Sequence, residues 1–182
     1  MYDIYSNAQA DAWRFTLGKA GKRILLTVGL NPSTATSEKS DPTVARVQQI
    51  AGDNGFDGFV MLNLYPVRGT NFRKLPSEVD TVAFTLNLER IDSVVAAEKR
   101  PTVWAAWGDS ILHHTFFVDA CIELFVRLGK YDVNWLHVGD MTLLGHPRHP
   151  SRARYAWSFA PLAVESYISE LRPLTARRNG RA

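Results

Sequence analysis

The chain has a single cysteine, Cys121, among its 182 residues. One cysteine cannot form an intramolecular disulfide. It also cannot supply the several thiolates of an iron–sulfur cluster or a cysteine-rich zinc site. Cys121 lies in an apolar segment of helical spacing, which favours a small core residue. The sequence therefore predicts neither a disulfide framework nor a cysteine-bound cofactor.

Long apolar runs and targeting patterns are missing too. No stretch approaches the roughly 18 apolar residues that a membrane-spanning helix needs, and the N-terminal segment lacks the basic start and apolar run of a signal peptide. We therefore expect a cytoplasmic protein without a membrane partner. The length favours one domain, predicted over residues 1–174, followed by a basic, frayed tail at 175–182. The sequence does not indicate an oligomeric state.

Several nucleotide-binding and hydrolase signatures are absent as well. The chain contains no Walker loop, no G-x-G-x-x-G turn and no G-x-S-x-G elbow. The formal net charge is +3 and the pI about 9.1, a mild basic bias that is compatible with an anionic partner. A catalytic or binding site in this chain would therefore not be built on any of these three motifs.

Four aliphatic segments, at 23–30, 58–67, 101–108 and 132–139, alternate with segments of helical spacing. The helices are predicted at 40–55, 77–99, 110–129 and about 154–171, and a faint strand signal lies at 12–18. Asp41 and Pro42 suit the start of the first helix, and Gly55 suits its end. Buried strands alternating with helices predict an α/β fold of three layers, α/β/α, with a central, mostly parallel, four-stranded sheet.

The unusual polar residues follow the four predicted strands. In an open parallel sheet, ligands bind beyond the carboxyl ends of the strands. Four segments occupy those ends: "GLNPSTA" at 29–35, "NLYPVRGT" at 63–70, "WGDS" at 107–110 and "GHPRHPS" at 145–151. We therefore expect one site on one rim of the sheet.

The first of these segments centres on Asn31. Gly29 allows the backbone to approach a ligand closely, and Pro32 restricts Asn31 to extended conformations. A rigidly held amide can orient a water or a carbonyl through its donor and its acceptor. The competing interpretation is that Asn31 only caps the turn, as asparagine often does.

The last segment carries two histidines, His146 and His149, each followed by proline. Arg148 lies between them, and nearby positive charge favours a neutral imidazole. A neutral histidine can still donate a hydrogen bond to developing negative charge. A metal site would need a third ligand, and the only acid nearby is Asp140, so neither a metal nor another cofactor is expected.

Taken in order, these four segments resemble the uracil-DNA glycosylase superfamily, above all its mismatch-specific and thymine-DNA branches. "GLNPSTA" resembles the G-[IV]-N-P-G turn whose asparagine positions the hydrolytic water. "MLNLYPVR" resembles the segment whose asparagine pairs with the flipped base, here Asn63. "VWAAWGDS" resembles the strand that ends in Trp-Gly or Leu-Gly, and His-Pro-Ser at 149–151 resembles the loop that brings a histidine to the base.

The chain as a whole is identified as a member of the DUF1643 family. That family's pattern has the form N-P-S-x-A, D-P-T, N-L-[FY], R-x-T, W-G and G-x-P-R-H-P. The matching positions here are Asn31, Pro32, Ser33, Ala35, Asp41, Pro42, Thr43, Asn63, Leu64, Tyr65, Arg68, Thr70, Trp107, Gly108, Gly145, Pro147, Arg148, His149 and Pro150.

Two departures from the glycosylase pattern bear on the substrate. Glycosylases usually have an aromatic residue soon after the first motif, which stacks on the flipped base. This chain has Ser33 and Thr34 there, so Tyr65 or Trp107 would have to stack on the base instead. The last loop continues as "HPSRARYAW", without an apolar wedge. Arginines there favour phosphate contact over insertion between bases.

The resemblance implies an N-glycosidase, a hydrolase of the DNA glycosylase kind, that acts on a nucleobase in nucleic acid or in a nucleotide. Asn31 and His149 would be catalytic. The base would contact Gly29, Leu30, Pro32, Ser33, Thr34, Asn63, Tyr65, Trp107 and Gly108; phosphate would contact Arg68, Arg148, Ser151 and Arg152; further candidates are Asp41 and His146. The rival interpretations are a non-catalytic binder of nucleotide or nucleic acid and, third, a protein-interaction scaffold.

Overall fold

Seven strands and four α-helices form within residues 1–179, the part of the chain whose backbone the structure, a computed structural model, describes. The strands are β1 (Ile4–Ala8), β2 (Trp13–Lys19), β3 (Ile24–Gly29), β4 (Gly58–Asn63), β5 (Thr102–Ala105), β6 (Asn134–Val138) and β7 (Phe159–Pro161). The helices are α1 (Pro42–Asp53), α2 (Thr81–Ala96), α3 (Thr115–Leu128) and α4 (Val164–Asn179). Side chains are described through Pro173, so the predicted tail at 175–182 lies outside the described side chains, and residues 180–182 lie outside the described backbone.

The strands form one sheet in the order β1-β2-β4-β3-β5-β6-β7. Strand β3 pairs in parallel with β4 and β5, and β5 pairs in parallel with β6. The three remaining pairings, β1 with β2, β2 with β4 and β6 with β7, are antiparallel. The α/β class is confirmed, but the predicted four-stranded, mostly parallel sheet is wrong in its strand number and in the direction of its flanks.

The added strands carry weak sequence signals for physical reasons. Strand β1 is a partly exposed edge strand with the mixed sequence IYSNA, and β7 has only three residues and ends in a proline. Edge strands need no continuous apolar face, so neither gives the aliphatic run that marks a central strand. Strand β2 forms where the faint signal lay, at Trp13–Lys19.

The last helix was predicted to begin near Arg154, and this start is wrong. The chain instead forms β7 and begins α4 at Val164. Trp157 and Phe159 pack with the core on the α1 face of the sheet, where the ring of Phe159 meets that of Trp104 edge to face at 5.5 Å. This packing favours an extended segment over a helix that would turn one of the two aromatic side chains away.

Two apolar clusters lie on opposite faces of the sheet, because successive strand residues alternate between them. Leu25 and Phe59 pack with α1, whereas Leu26 and Val60 pack with α2, α3 and α4. The central strands are therefore covered by helices on both faces. None of the helices in the described part of the chain is both long enough and apolar enough to cross a bilayer.

Helix α1 is fixed to the preceding loop by its N-cap. Asp41 Oδ1 accepts the Val44 N–H at 2.9 Å, and Asp41 Oδ2 accepts the Ala35 N–H at 3.2 Å. The first bond is an N-cap, as predicted, and the second holds the loop that carries Asn31. Asp41 is buried.

We expect Asp41→Ala to lower the free energy of unfolding by about 0.5–2 kcal/mol, the usual cost of losing an N-cap. Asp41→Asn keeps one acceptor oxygen and should lose less. Urea denaturation of the two variants and the wild type measures the difference. Equal stability of Asp41→Ala and the wild type would contradict the cap.

Candidate functional site

A cavity of about 890 Å³ lies where the carboxyl ends of β3, β4 and β5 meet the loop that follows β6. A volume of this size suits a nucleotide-sized ligand. Most of the residues predicted from the sequence are in its wall. They are Gly29, Leu30, Asn31, Ser33, Asp41, Asn63, Trp107, Gly108, Arg148, His149, Ser151 and Arg152.

The other five predicted residues do not line this cavity: Pro32, Thr34, Tyr65, Arg68 and His146. Pro32 and Thr34 belong to the first loop, but only their neighbours reach the wall.

Asn31 is held by backbone carbonyl groups. Its Nδ2 donates to Gly69 O at 2.9 Å and to Pro32 O at 3.1 Å, which ties the loop after β3 to the loop after β4. With the amide nitrogen engaged, the side-chain oxygen is the group left to accept a hydrogen bond from a water or a ligand. The turn-stabilising interpretation of Asn31 and the water-orienting one are therefore compatible.

Asn63, the last residue of β4, is only 2% exposed, and its Nδ2 has no hydrogen-bond partner. Asn87 of α2 donates its own amide to Asn63 O at 2.8 Å and so fixes the backbone there. Buried amide donors are seldom left unpaired in folded proteins. Because Asn63 lines the cavity, this donor is available to a ligand group that accepts a hydrogen bond.

The close approach of two loops requires a glycine at position 108. Gly108 has φ of 69° and donates its N–H to Pro147 O at 2.9 Å. A Cβ on Gly108 would lie 3.1 Å from His149 Cβ. Glycine both adopts this left-handed conformation without strain and leaves space for the histidine. The Trp-Gly turn therefore positions His149.

His149 is half-buried, and its Nδ1 accepts the Ser151 N–H at 3.2 Å while lying 2.9 Å from Ser151 Oγ. A backbone N–H can only donate, so Nδ1 is unprotonated and the neutral ring carries its hydrogen on Nε2. Burial lowers the pKa of His149 from 6.5 to about 4; Asp41 opposes this shift, and Arg152 adds to it. The ring is thus neutral at physiological pH, with burial as the main cause where the sequence had suggested the arginines.

A buried chain of hydrogen bonds lies beneath this loop. Trp107 Nε1 donates to Tyr167 OH at 2.8 Å, and that hydroxyl lies 2.8 Å from His146 Nδ1. Trp107 is fully buried and His146 is 4% exposed, and burial lowers the pKa of His146. His146 therefore supports the loop from outside the cavity, through Tyr167 of α4.

The stacking surfaces in the cavity differ from the expected ones. Tyr65 is buried against Phe116, and its hydroxyl accepts the Asp80 N–H at 2.9 Å, away from the wall. Two partly buried aromatic side chains, Phe72 and Trp157, line the cavity instead. Phe72 lies outside the motifs, and Trp157 lies in the segment predicted as helix, so the sequence patterns did not reveal them.

Arg68 interacts with protein oxygens. Its Nη1 donates to Ser33 O at 2.6 Å and to Ala35 O at 3.0 Å, and its Nη2 donates to Tyr5 OH at 2.6 Å and pairs with Asp11 at 3.1 Å. The phosphate role expected for Arg68 therefore has no support from its position.

Asp11 ends a turn of unusual backbone geometry. It is the last of three consecutive non-glycine residues in the left-handed region, with φ of 53° at Gln9, 49° at Ala10 and 69° at Asp11. Such conformations are costly for these residue types. The bonds from Tyr5 OH at 2.6 Å and from Arg68 help to hold the turn.

The rim of the cavity carries three arginines. Arg148 Nε donates to Asp140 O at 2.8 Å, and its guanidinium lies 5.3 Å from the ring centre of Trp157. Arg154, which the motifs did not include, lies 5.5 Å from the same ring, and Arg152 is exposed. Cations near an aromatic face form a surface suited to phosphate and to planar ligands.

A fourth arginine, Arg14 of β2, lies in the wall and is only 1% exposed. Its Nη1 donates to Ala35 O at 3.2 Å. Burial and the neighbouring Arg68 lower its pKa to about 10, and Asp41 opposes them, so Arg14 remains charged at neutral pH. A charge between two aromatic residues, in the sequence WRF, was the one available signal for it.

The wall thus carries four arginines against two aspartates, Asp41 and Asp109. Asp41 is engaged as a cap, and Asp109 bonds Thr142. Among the described residues, no group of three or more His, Cys, Asp or Glu is arranged to hold a metal ion. The cavity is therefore an electropositive, amide-lined site.

The family model of DUF1643, described as a protein of unknown function, matches residues 13–151. No curated protein and no solved structure matches the chain. The matched segment contains Asn31, Asn63, Gly108 and His149 and ends at Ser151.

The lowered pKa of His149 predicts acid sensitivity. Because the unfolded ring binds a proton near pH 6.5 and the folded ring only near about 4, stability falls as the pH drops through this window. We expect the free energy of unfolding of His149→Gln, measured by urea denaturation at several pH values, to fall less steeply than that of the wild type. His146 is present in both proteins, so the difference between them is due to His149. Identical slopes would show that His149 is not the depressed group.

Proposed function

The chain belongs to the DUF1643 family, and we propose that it is an N-glycosidase that hydrolyses the bond between a nucleobase and its sugar, in nucleic acid or in a nucleotide. The observation that carries the proposal is the convergence of Asn31, Asn63 and neutral His149 on one cavity. These three groups supply an acceptor for water, a donor for a base edge and a donor for a leaving group.

In the proposed reaction, the oxygen of Asn31 accepts a hydrogen bond from a water and directs it at the anomeric carbon. The new carbon–oxygen bond forms as the carbon–nitrogen bond breaks, and the electron pair of that bond leaves with the base. His149 Nε2–H donates to the departing base as it gains negative charge. The water supplies a hydroxyl to the sugar and, overall, one proton to the base.

Recognition of the substrate follows from the same wall. Asn63 would read the base edge through its unpaired Nδ2. Phe72 and Trp157 offer ring faces, and stacking on such faces is sequence-tolerant. Arg148 and Arg152, with Arg154, would bind phosphate at the rim, for which the guanidinium fork is suited. Nucleic acid or a nucleotide is therefore the proposed partner.

We also propose that the chain has a three-layer α/β/α fold like that of the uracil-DNA glycosylases. Two features support it. The four motif segments follow β3, β4, β5 and β6 in the order expected from the resemblance, and helices pack on both faces of the sheet.

A non-catalytic binder remains the second candidate, and one observation favours it. Both oxygens of Asp41 accept backbone N–H groups, so this carboxylate is engaged and is not free to act as a general base. A binder would use the same amides and arginines without activating water.

A mass-spectrometric screen for released free base tests the proposal. The substrates are single- and double-stranded DNA, RNA and nucleotides that contain normal, deaminated or hypermodified bases. We expect release to fall at least about 100-fold in Asn31→Ala and in His149→Ala, because each removes a group that acts in the transition state.

Two matched variants serve as controls. Asn134→Ala removes an exposed asparagine and His137→Ala a partly exposed histidine of β6; neither side chain lines the cavity, and both variants should retain the wild-type rate. Binding of substrate by Asn31→Ala without turnover fits the hydrolase. No release from any substrate, with nucleotide or nucleic acid still bound, would reject the hydrolase in favour of the binder.

A further inference from the structure

Two buried donors without partners lie in the wall of the same cavity. Arg14 Nε and Asn63 Nδ2 form no hydrogen bond, although their residues are only 1% and 2% exposed. An unpaired buried donor costs about 1–3 kcal/mol, and more when the group is charged. Two such donors in one wall indicate a ligand group that accepts hydrogen bonds.

The two residues lie on neighbouring strands, so that one ligand group can contact both donors. Arg14 is on β2 and Asn63 on β4, and these strands are antiparallel neighbours, with Leu17 opposite Met61. Asn87 fixes the backbone of Asn63, and the bond from Arg14 Nη1 to Ala35 O fixes one end of the guanidinium. Both donors are therefore held in place before any ligand binds.

The charge of Arg14 is not neutralised by a salt bridge within the described residues. The charged and titratable groups that act on it are Arg68 from the loop after β4, Asp41 from the start of α1, and Tyr5 and Asp11 from the β1–β2 hairpin. The oxygens of Asp41 are directed to backbone N–H groups, and Asp11 pairs with Arg68. Arg14 is thus a buried cation with an unused donor.

We propose that Arg14 and Asn63 bind the negatively charged edge of the substrate base, so that the preferred bases present only hydrogen-bond acceptors to this pair and ionise readily. This inference rests on the proposed placement of a base in the cavity, and it names the substrate class. A ring oxo group or a deprotonated ring nitrogen accepts from both donors, whereas an amino group would oppose donor to donor.

The electrostatic consequence is a preference for the anion over the neutral ring. A fixed cation in a desolvated site stabilises a nearby negative charge far more than the same cation does in water. Any charge that develops on a departing base would be stabilised in the same way. Arg14 would then determine specificity, in addition to the hydrogen bond from His149.

Binding of free bases tests this inference without requiring bond cleavage. The probes are 5-fluorouracil and uracil, which are nearly equal in shape but differ in the acidity of their ring N–H, with cytosine as the amino-substituted counterpart. Isothermal titration calorimetry would be run between about pH 6 and about pH 9. Over that range His149 stays neutral and Arg14 stays charged, because their pKa values are about 4 and about 10.

We expect the wild type to bind 5-fluorouracil increasingly tightly as the pH rises through the pKa of its ring N–H, at least about tenfold more tightly than uracil at pH values where uracil is still neutral, and to bind cytosine more weakly than uracil. Tenfold corresponds to one hydrogen bond to a charged group. Arg14→Gln should abolish the rise with pH. Asn63→Asp replaces the donor with an acidic oxygen and should abolish it independently, which covers the case in which Arg14→Gln does not fold.

Arg90→Gln, the same chemical change on an exposed residue of α2 outside the cavity wall, should behave as the wild type. A preference that survives in both Arg14→Gln and Asn63→Asp overturns the inference, and so does the absence of binding by all three bases. Inorganic phosphate forms a further arm. Phosphate binding that depends on Arg14, with no base bound, would assign the pair to a phosphate group and overturn the base assignment.

These outcomes separate the inference from the proposed function. Release of free base without a preference for ionised rings keeps the glycosidase and rejects the role of Arg14. A preference for ionised rings without release from any substrate keeps the role of Arg14 and rejects the hydrolase.

Discussion

The guanidinium of Arg68 is the contact on which the candidate site depends. It joins the carbonyl groups of Ser33 and Ala35, in the loop that carries Asn31, to Tyr5 and Asp11 of the β1–β2 hairpin. Without it, two loop carbonyls would lose a charged donor, and the left-handed turn that ends at Asp11 would lose its counter-ion. One partly buried side chain thus holds the loop that carries Asn31 against the β1–β2 hairpin at the edge of the sheet.

The central part of the fold was predictable because its strands are buried on both faces. Strands β3, β4 and β5 are buried along nearly their whole length and read as aliphatic runs, and the cap at Asp41 marked the start of α1. The edge strands β1 and β7 were not predictable, because a partly exposed edge such as β1 needs no apolar run and β7 has only three residues. A local sequence pattern also does not predict that β2 pairs antiparallel with β4, because that pairing depends on contacts between residues far apart in the sequence.

The same distinction applies to the cavity. Asn31, Asn63 and His149 follow strands whose carboxyl ends share one edge, so topology alone predicted that they would meet. Arg14 was not predicted by this rule because β2 runs antiparallel to β4. The amino end of β2, where Arg14 lies, is therefore beside the carboxyl end of β4. Trp157 was not predicted either, because the helix predicted from position 154 forms only at Val164.

The hydrogen-bond chain from Trp107 through Tyr167 to His146 has a consequence for the limits of the folding unit. Tyr167 lies on α4, beyond the segment that the family model matches, which ends at position 151. A fragment trimmed to that segment would keep the asparagines and His149 yet leave the indole of Trp107 without its acceptor and the cavity without Trp157. The stretch by which the family model recognises this chain is therefore shorter than the stretch that builds its cavity.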